Sequence, residues 1–139
     1  MMALLVCSFS AWSSGSDETT GADGRHHVVF YLNSGDETIQ KGALNNVKHL
    51  YQERGGDRIK VELAVHGAGL EMLTKRNTQF AEELERFEGL YGVSSTACSN
   101  TMKAMNLTRD DLMLQLDRTV PAMVRLMEPQ EADWVYIKP

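Results

Sequence analysis

The sequence has little of what marks several protein classes. Its two cysteines, Cys7 and Cys98, are too few for a disulfide framework. No apolar run approaches the roughly 20 residues of a membrane-spanning helix, so we expect a soluble mature chain without a membrane partner. Positive charge is also scarce, since 14 Lys and Arg stand against 19 Asp and Glu for a net charge of −5. This acidic balance argues against a nucleic-acid partner.

Length and composition are those of one ordinary globular domain. The 139 residues leave room for a single domain, because domains usually contain roughly 100–200 residues. A content of 42% hydrophobic and 24% charged residues excludes wholesale disorder and collagen-like fibres.

The N-terminal segment has a different character from the rest. Residues 1–14 are an apolar stretch followed by small residues, which predicts a secretory signal peptide with a truncated, uncharged n-region. Residues 15–25 predict a flexible polar leader, and residues 26–139 predict the folded domain. A frayed N-terminal extension is the alternative interpretation of the first segment. The signal-like pattern favours a periplasmic location, with the cytoplasm as the alternative.

Strand-like and helix-like segments alternate along the folded part. Runs typical of buried parallel strands lie at 27–32, 59–65, 91–97 and 114–120, and a last short strand at 134–137. Apolar residues at helical spacing lie in the segments between them, at 39–50, 70–89, 98–107 and 121–128. The alternation predicts an α/β three-layer αβα sandwich with a mostly parallel sheet and right-handed crossovers.

Capping signals mark the ends of some of these helices. Asp36 or Ser34 can cap the first helix, which the Gly55-Gly56 pair should end. Thr108, with Asp111 three residues later, predicts a capping box.

Polar and reactive side chains follow three of the predicted strands. They are Asn33 after the first strand, His66 and Gly67 after the second, and Cys98, Asn100 and Thr101 after the third. In an open parallel sheet, ligands bind at the carboxyl ends of the strands. Cys98 is the most informative, because the N-terminus of the following helix would stabilise its thiolate, the nucleophilic form. The alternative is a small buried hydrophobic residue.

The residues around Cys98 could assist it. Asn100 and Thr101 could donate or orient hydrogen bonds at the same place, and His66 could hold the thiolate or shuttle its proton. The alternative for His66 is a local hydrogen bond that stabilises its loop. The His26-His27 pair has no Cys, Asp or Glu partner at ligand spacing, so we expect no metal site.

Three segments together resemble the DsrE/DsrF-like family of sulfur-relay proteins. They are HGAGL at 66–70, ACSNTM at 97–102 and YIKP at 136–139. The resemblance, which runs from about His27 to Pro139, implies a flavodoxin-like α/β sandwich and assembly into trimers or hexamers. It also implies that Cys98 accepts sulfane sulfur as a persulfide, with His66 and Asn100 beside it. The signal-like N-terminus is a departure, since the well-studied relay proteins of this family act in the cytoplasm.

The favoured hypothesis is therefore a sulfur carrier or sulfurtransferase. Cys98 would take sulfur from one thiol-bearing donor and pass it to a partner thiol, and this exchange needs no cofactor. A non-catalytic oligomeric module whose Cys–His pocket binds a small ligand is one alternative. A redox sensor oxidised at Cys98 is another.

A crowded apolar segment also points towards a homo-oligomer. It contains Met102, Met105, Leu107, Leu112, Met113 and Leu114. A single helix and strand cannot point all of these side chains into one core, so we expect some of them to face another subunit.

Overall fold

The computed structural model describes residues 20–113 and 116–139, and its strands form one parallel sheet in the order β4-β3-β2-β1-β5. The strands are β1 His26–Leu32, β2 Ile59–Val65, β3 Ser94–Cys98, β4 Arg118–Val120 and β5 Val135–Ile137. The α-helices are α1 Glu37–Arg54, α2 Ala81–Tyr91, α3 Ser99–Ala104 and α4 Ala122–Glu131, and 3-10 helices span Gly67–Leu73 and Arg109–Asp111. Helices cover both faces of the sheet, so the predicted α/β three-layer sandwich is confirmed.

The two faces of the sheet are covered unequally. Val28, Phe30 and Leu32 of β1 point to the major face, where they share the large core with residues of α1, α2 and α3. Val29 and Tyr31 alternate to the minor face, as the pleat of a strand requires. There they join a small cluster that includes Leu126 of α4. The minor face therefore relies on α4 for its cover.

The strand register brings three strand ends together. Leu32 of β1 is aligned with Val65 of β2, and Val65 is aligned with Ala97 of β3. The next residues along each strand are Asn33, His66 and Cys98. The predicted functional residues therefore lie along one edge of the sheet, at the carboxyl ends of the parallel strands.

The chain changes faces between β3 and β4. After β3 it enters α3, whose Met102 lies in the major-face core. After β4 it enters α4, whose Leu126 lies in the minor-face cluster. Such a switch opens a crevice outside the carboxyl ends of the two strands, which is where open α/β sheets bind ligands. Cys98 ends β3 at this switch point.

The predicted caps are present. The Asp36 carboxylate accepts the N–H groups of Thr38 at 2.7 Å and Ile39 at 3.3 Å, and α1 ends at Gly55. The capping box of Thr108 and Asp111 is also formed, at the start of the second 3-10 helix. These local signals worked because the partners of a cap are neighbours in the sequence.

The prediction of one helical stretch at 70–89 is wrong. The 3-10 helix ends at Leu73, and Thr74 then forms an isolated antiparallel bridge with Leu112. The helix α2 starts later and continues past residue 89 to Tyr91, whose ring stacks on Tyr51 with centroids 4.4 Å apart. The third strand consequently begins at Ser94 instead of residue 91.

The last crossover also differs from its predicted bounds. β4 spans only Arg118–Val120, while residues 114 and 115 of the predicted strand lie outside the described part of the chain. The guanidinium of Arg109 donates to the carbonyls of Met113 at 2.7 Å and Leu116 at 3.0 Å, which removes these carbonyls from a strand ladder. The helix α4 begins one residue after Pro121 and continues past residue 128 to Glu131.

The crowded apolar segment is largely part of the chain's own core. Met102, Leu112 and Met113 are buried in the major-face core, and Leu107 packs against it. Met105 is 37% exposed, and Leu114 lies outside the described residues. Three of these side chains enter the core because a helix, a turn and a 3-10 helix offer more buried directions than one helix and one strand, and that some of the segment faces another subunit stays a prediction.

The signal-peptide prediction for residues 1–14, Cys7 and the leader up to residue 19 lie outside the described residues. The remaining leader residues form a turn in which the Gly21 N–H donates to the Arg25 carbonyl at 2.8 Å. None of the helices that the structure describes is long and apolar enough to cross a membrane.

Two glycines allow a test of this architecture. A Cβ at Gly69 would lie 2.8 Å from the carbonyl oxygen of Leu32, where two chain segments meet below the site edge. We expect Gly69→Ala to lower the free energy of unfolding by roughly 1–3 kcal/mol, the usual cost of overpacking. A Cβ at Gly42, inside α1, meets nothing within 4 Å, so Gly42→Ala should raise it by about 0.5–1 kcal/mol. Urea denaturation measures both, and equal effects would contradict the close approach at Gly69.

Candidate functional site

Cys98 lies between the starts of two helices. It is the last residue of β3 and the N-cap of α3. Its Sγ accepts the N–H of Ala122, the first residue of α4, at 3.4 Å. The backbone N–H groups of Asn100 and Thr101, in the first turn of α3, also lower the pKa of Cys98, although the Cys98 side chain makes no capping hydrogen bond to this helix. Because the two helices leave the sheet on opposite faces, N–H groups converge on the sulfur from both sides and favour a negative charge there.

Thr101 connects the sulfur with the loop after β2. Its hydroxyl lies near Cys98 and lowers the pKa of the thiol, while its Oγ1 accepts the N–H of Gly67 at 3.0 Å. Thr101 is buried, so this connection is shielded from water. The chain Gly67–Thr101–Cys98 holds the ends of β2 and β3 in a fixed arrangement around the thiol.

Burial and hydrogen bonding act on the thiol in opposite directions. Burial raises the pKa of Cys98, because an apolar surrounding disfavours the charged form. The hydrogen bonds from the Thr101 and Ala122 backbone, followed by those from the Thr101 hydroxyl and the Asn100 backbone, outweigh it and bring the pKa below that of a free thiol. The thiolate, the form that attacks sulfur, is therefore easier to form at this site than in a free cysteine.

His66 lies at the predicted edge but has a partner that the sequence analysis did not name. Its Nδ1 is 3.0 Å from the hydroxyl of Tyr31, and the two rings stack with centroids 5.9 Å apart. Among the described hydrogen bonds, the His66 ring bonds Tyr31 and not Cys98. The observed partner of His66 is thus a residue 35 positions away on β1, and not the local loop contact that the sequence analysis gave as the alternative.

Tyr31 is the centre of a second group beside the thiol. The Tyr136 ring is 6.3 Å from the Tyr31 ring, and the Lys138 ammonium lies 5.8 Å over it. Burial raises the pKa of Tyr31, and so does the proximity of Tyr136 and Cys98, while a hydrogen bond from Asn33 partly opposes them. The hydroxyl of Tyr31 therefore stays protonated. This group places a phenol, an imidazole and an ammonium at the same edge as the sulfur.

The remaining predicted residues contribute mainly through the backbone. Gly67 has a φ of 56°, a conformation that favours glycine, and in it the Gly67 N–H reaches Thr101. Asn100 is exposed, and its N–H acts on Cys98. Asn33 is exposed at the end of β1. The sequence analysis missed Tyr31, although its alternation with Val28 and Phe30 on β1 could have placed it on the minor face.

The His26-His27 pair lies at the opposite end of β1 from the site. The His27 Nε2 is 2.9 Å from a carboxylate oxygen of Asp23, and its ring meets Trp134 edge-on with centroids 4.7 Å apart. Within residues 20–113 and 116–139, no group of three or more His, Cys, Asp or Glu side chains is arranged to hold a metal ion.

The hydrogen bond from the Thr101 hydroxyl predicts the reactivity of Cys98. In a Cys7→Ser background, where Cys98 is the sole thiol, the rate of iodoacetamide alkylation against pH should inflect below the value of about 8.5 for a free thiol. Thr101→Val removes the hydroxyl donor, so we expect the inflection to rise by roughly one pH unit, as loss of a hydrogen bond to a charged group predicts. Thr101→Ser keeps the donor and should match the wild type. An identical inflection for Thr101→Val would show that the hydroxyl does not act on the sulfur.

Comparison with known proteins supports the fold and assigns no activity. No family model and no curated protein matches the chain. The solved structure of MTH1491 from Methanobacterium thermoautotrophicum, a protein of unknown function, matches with a TM-score of 0.75 at 25% sequence identity. The match covers 82% of this chain and 99% of MTH1491. The chain thus has a flavodoxin-like three-layer fold, shared over nearly the whole length of this neighbour.

Proposed function

We propose that this protein is a sulfur carrier or sulfurtransferase that holds sulfane sulfur as a persulfide on Cys98. The observation that carries the proposal is the convergence of N–H groups from α3 and α4, with the Thr101 hydroxyl, on one sulfur atom. These donors stabilise the thiolate before transfer, and they would also stabilise the thiolate that leaves when the persulfide gives up its outer sulfur. Both half-reactions therefore benefit from the same arrangement.

The chemistry is a pair of thiol exchanges. In the first, the Cys98 thiolate attacks the outer sulfur of a donor persulfide R–S–SH. A new S–S bond forms on Cys98, the donor S–S bond breaks, and R–S⁻ leaves while the proton stays on the outer sulfur. In the second, a partner thiolate attacks that outer sulfur, takes it with its proton and releases the Cys98 thiolate. No net oxidation occurs, so neither step requires a redox cofactor.

The burial of Cys98 limits which donors can react. The residue is only 3% exposed, so an approaching molecule must present its sulfur end-on. A terminal persulfide on a protruding side chain, or a small polysulfide, meets this requirement. A folded protein's internal disulfide does not. The donor and acceptor partners that we propose are therefore thiol-bearing proteins with an extended reactive cysteine.

The resemblance to the DsrE/DsrF-like family supports the same function. The segment ACSNTM contains Cys98 and the Asn100 and Thr101 N–H donors, and HGAGL contains His66 and Gly67. The two segments meet through the hydrogen bond between Gly67 and Thr101. Fold alone would not suffice for this proposal, since one α/β architecture serves many activities.

A second candidate is binding of a small anionic ligand without sulfur transfer. It is favoured by the Tyr31 group, in which the Lys138 ammonium and the His66 ring lie beside the thiol edge. An ammonium group beside a hydroxyl and an imidazole can bind a small anion as well as a persulfide. Sulfur uptake separates the two candidates.

Intact-mass measurement tests the proposed function. After anaerobic incubation with polysulfide, we expect a gain of about 32 Da per chain, because one sulfur atom is added to Cys98. In a Cys7→Ser background, which leaves Cys98 as the sole thiol, the further change Cys98→Ser should abolish the gain. Dithiothreitol should remove the added mass and release sulfide, whereas a sulfinic acid of nearly equal mass would persist. A wild-type protein that gains no mass would contradict the carrier function and leave ligand binding.

We also propose that the protein is a homo-oligomer, a trimer or a hexamer, that assembles through the minor face. The outer side of α4 and the neighbouring β5 expose apolar residues that nothing in the described chain covers. These are Met123, Val124 and Met127 on α4 and Tyr136 on β5, with exposed fractions from 39% to 58%. Exposed apolar groups this close together mark contact surfaces more often than solvent-facing ones.

Light scattering tests the assembly. The wild-type protein at micromolar concentration should have a mass of three or six times the chain mass of 15.5 kDa. Met127→Glu places a charge in the contact, so we expect it to shift the mass towards the monomer with an unchanged circular dichroism spectrum. Leu90→Glu is the matched control, because Leu90 is 67% exposed on α2, away from this face. A monomeric wild type would refute the oligomer.

A further inference from the structure

A buried ion pair connects α4 to the middle of the sheet. Glu62 of β2 is 2% exposed and Arg125 of α4 is 9% exposed. The Arg125 Nε donates to one carboxylate oxygen at 2.7 Å, and a second guanidinium nitrogen donates to the other oxygen. The Thr96 hydroxyl of β3 donates to the first oxygen at 2.7 Å. Both carboxylate oxygens are therefore satisfied inside the minor face.

Stability alone is a poor explanation for this pair. Removing two charges from water costs free energy that their attraction often fails to return, and apolar pairs of similar volume frequently stabilise a protein more. A bidentate guanidinium–carboxylate contact does supply geometry, because it fixes direction as well as distance. The position of the pair in the fold indicates which elements this fixed geometry holds in place.

Arg125 lies in the first turn of α4, where its own N–H donates to the Pro121 carbonyl at 3.0 Å. Ala122, in the same turn, donates its N–H to the Sγ of Cys98 at 3.4 Å. Thr96, which holds the carboxylate from the other side, precedes Cys98 by two residues on β3 and so shares its face. The ion pair thus connects the helix that donates to the sulfur with the strand that carries it.

We propose that the Glu62–Arg125 pair positions the first turn of α4 so that the Ala122 N–H points at the Cys98 sulfur. Glu62 and Arg125 are positioning residues, since neither is hydrogen-bonded to the sulfur itself. The inference deepens the proposed sulfur function, on which its relevance to transfer rests. The position of the Ala122 N–H can be tested on the Cys98 thiol itself, without any sulfur donor.

The charges around the pair determine in which direction the pKa of Cys98 should change in the test. Glu128 bonds the other side of the Arg125 guanidinium at 3.1 Å, Arg118 acts on Glu62, and the Trp134 ring lies 5.6 Å from Arg125. If the pair acted only through charge, Glu62→Gln would remove a negative group and lower the pKa of Cys98. If the pair positions α4, the loosened Ala122 N–H would raise that pKa instead.

Alkylation of Cys98 against pH is the decisive measurement. For Glu62→Gln we expect the inflection to rise by about half to one pH unit, which means alkylation about three- to tenfold slower at a fixed pH below it. Glu128→Gln is the matched control. It removes an exposed carboxylate from the same guanidinium without releasing the anchor, so its inflection should equal that of the wild type. An unchanged or lowered inflection in folded Glu62→Gln would overturn the proposal.

Glu62→Gln leaves the buried Arg125 guanidinium without its carboxylate partner. If this prevents folding, Arg125→Lys serves as the second variant. Lysine keeps the charge but cannot make the bidentate contact, so we expect a rise in the same direction, and no rise would overturn the proposal. Sulfur uptake is scored separately by mass. A wild type that takes up no sulfur would refute the carrier function, while a raised inflection in Glu62→Gln would still establish the positioning role.

Discussion

The helix α3 leaves β3 on one side of the sheet, and α4 leaves β4 on the other. The sulfur of Cys98 lies between the two helices and therefore has backbone N–H groups of both beside it. If both helices lay on the same face, their N–H groups could not approach the sulfur from two sides. This arrangement also explains how a thiol that is 3% exposed can favour its charged form. The N–H groups replace the water that burial removes. The order of the strands, more than any side chain near the sulfur, determines the chemical character of the site.

The two faces of the sheet are covered to different extents, and this determines which contacts hold α4 in place. The major face is closed by α1, α2 and α3 around an apolar core, whereas the minor face has a small apolar cluster under α4. Where apolar area is limited, the position of α4 depends on the polar contact between Arg125 and Glu62 and on the Trp134 ring beside the guanidinium. The helix that serves the sulfur is thus held mainly by directional contacts.

The fold was largely predictable from the sequence, since strands β1 and β2 and the caps at Asp36 and Thr108 depend on residues close in the chain. The site was predictable only in outline. The carboxyl ends of parallel strands must share an edge, which placed His66 and Cys98 together. Nothing local, however, pairs Tyr31 with His66, 35 residues away, or Glu62 with Arg125, 63 residues away. Such partners are set by the strand order and the pleat, and a single sequence does not show them.

The position of β5 also has a consequence for the order of folding. This strand, late in the chain, pairs with β1, and α4 must cross the whole sheet from β4 to bring it there. Contacts between residues so distant in sequence form slowly, because a long loop must close before they contribute. As the chain emerges from the ribosome, β1, β2, β3 and the major-face helices can assemble first. The thiol would then remain open to solvent and to other thiols until α4 docks, so its microenvironment is completed only in the last stage of folding.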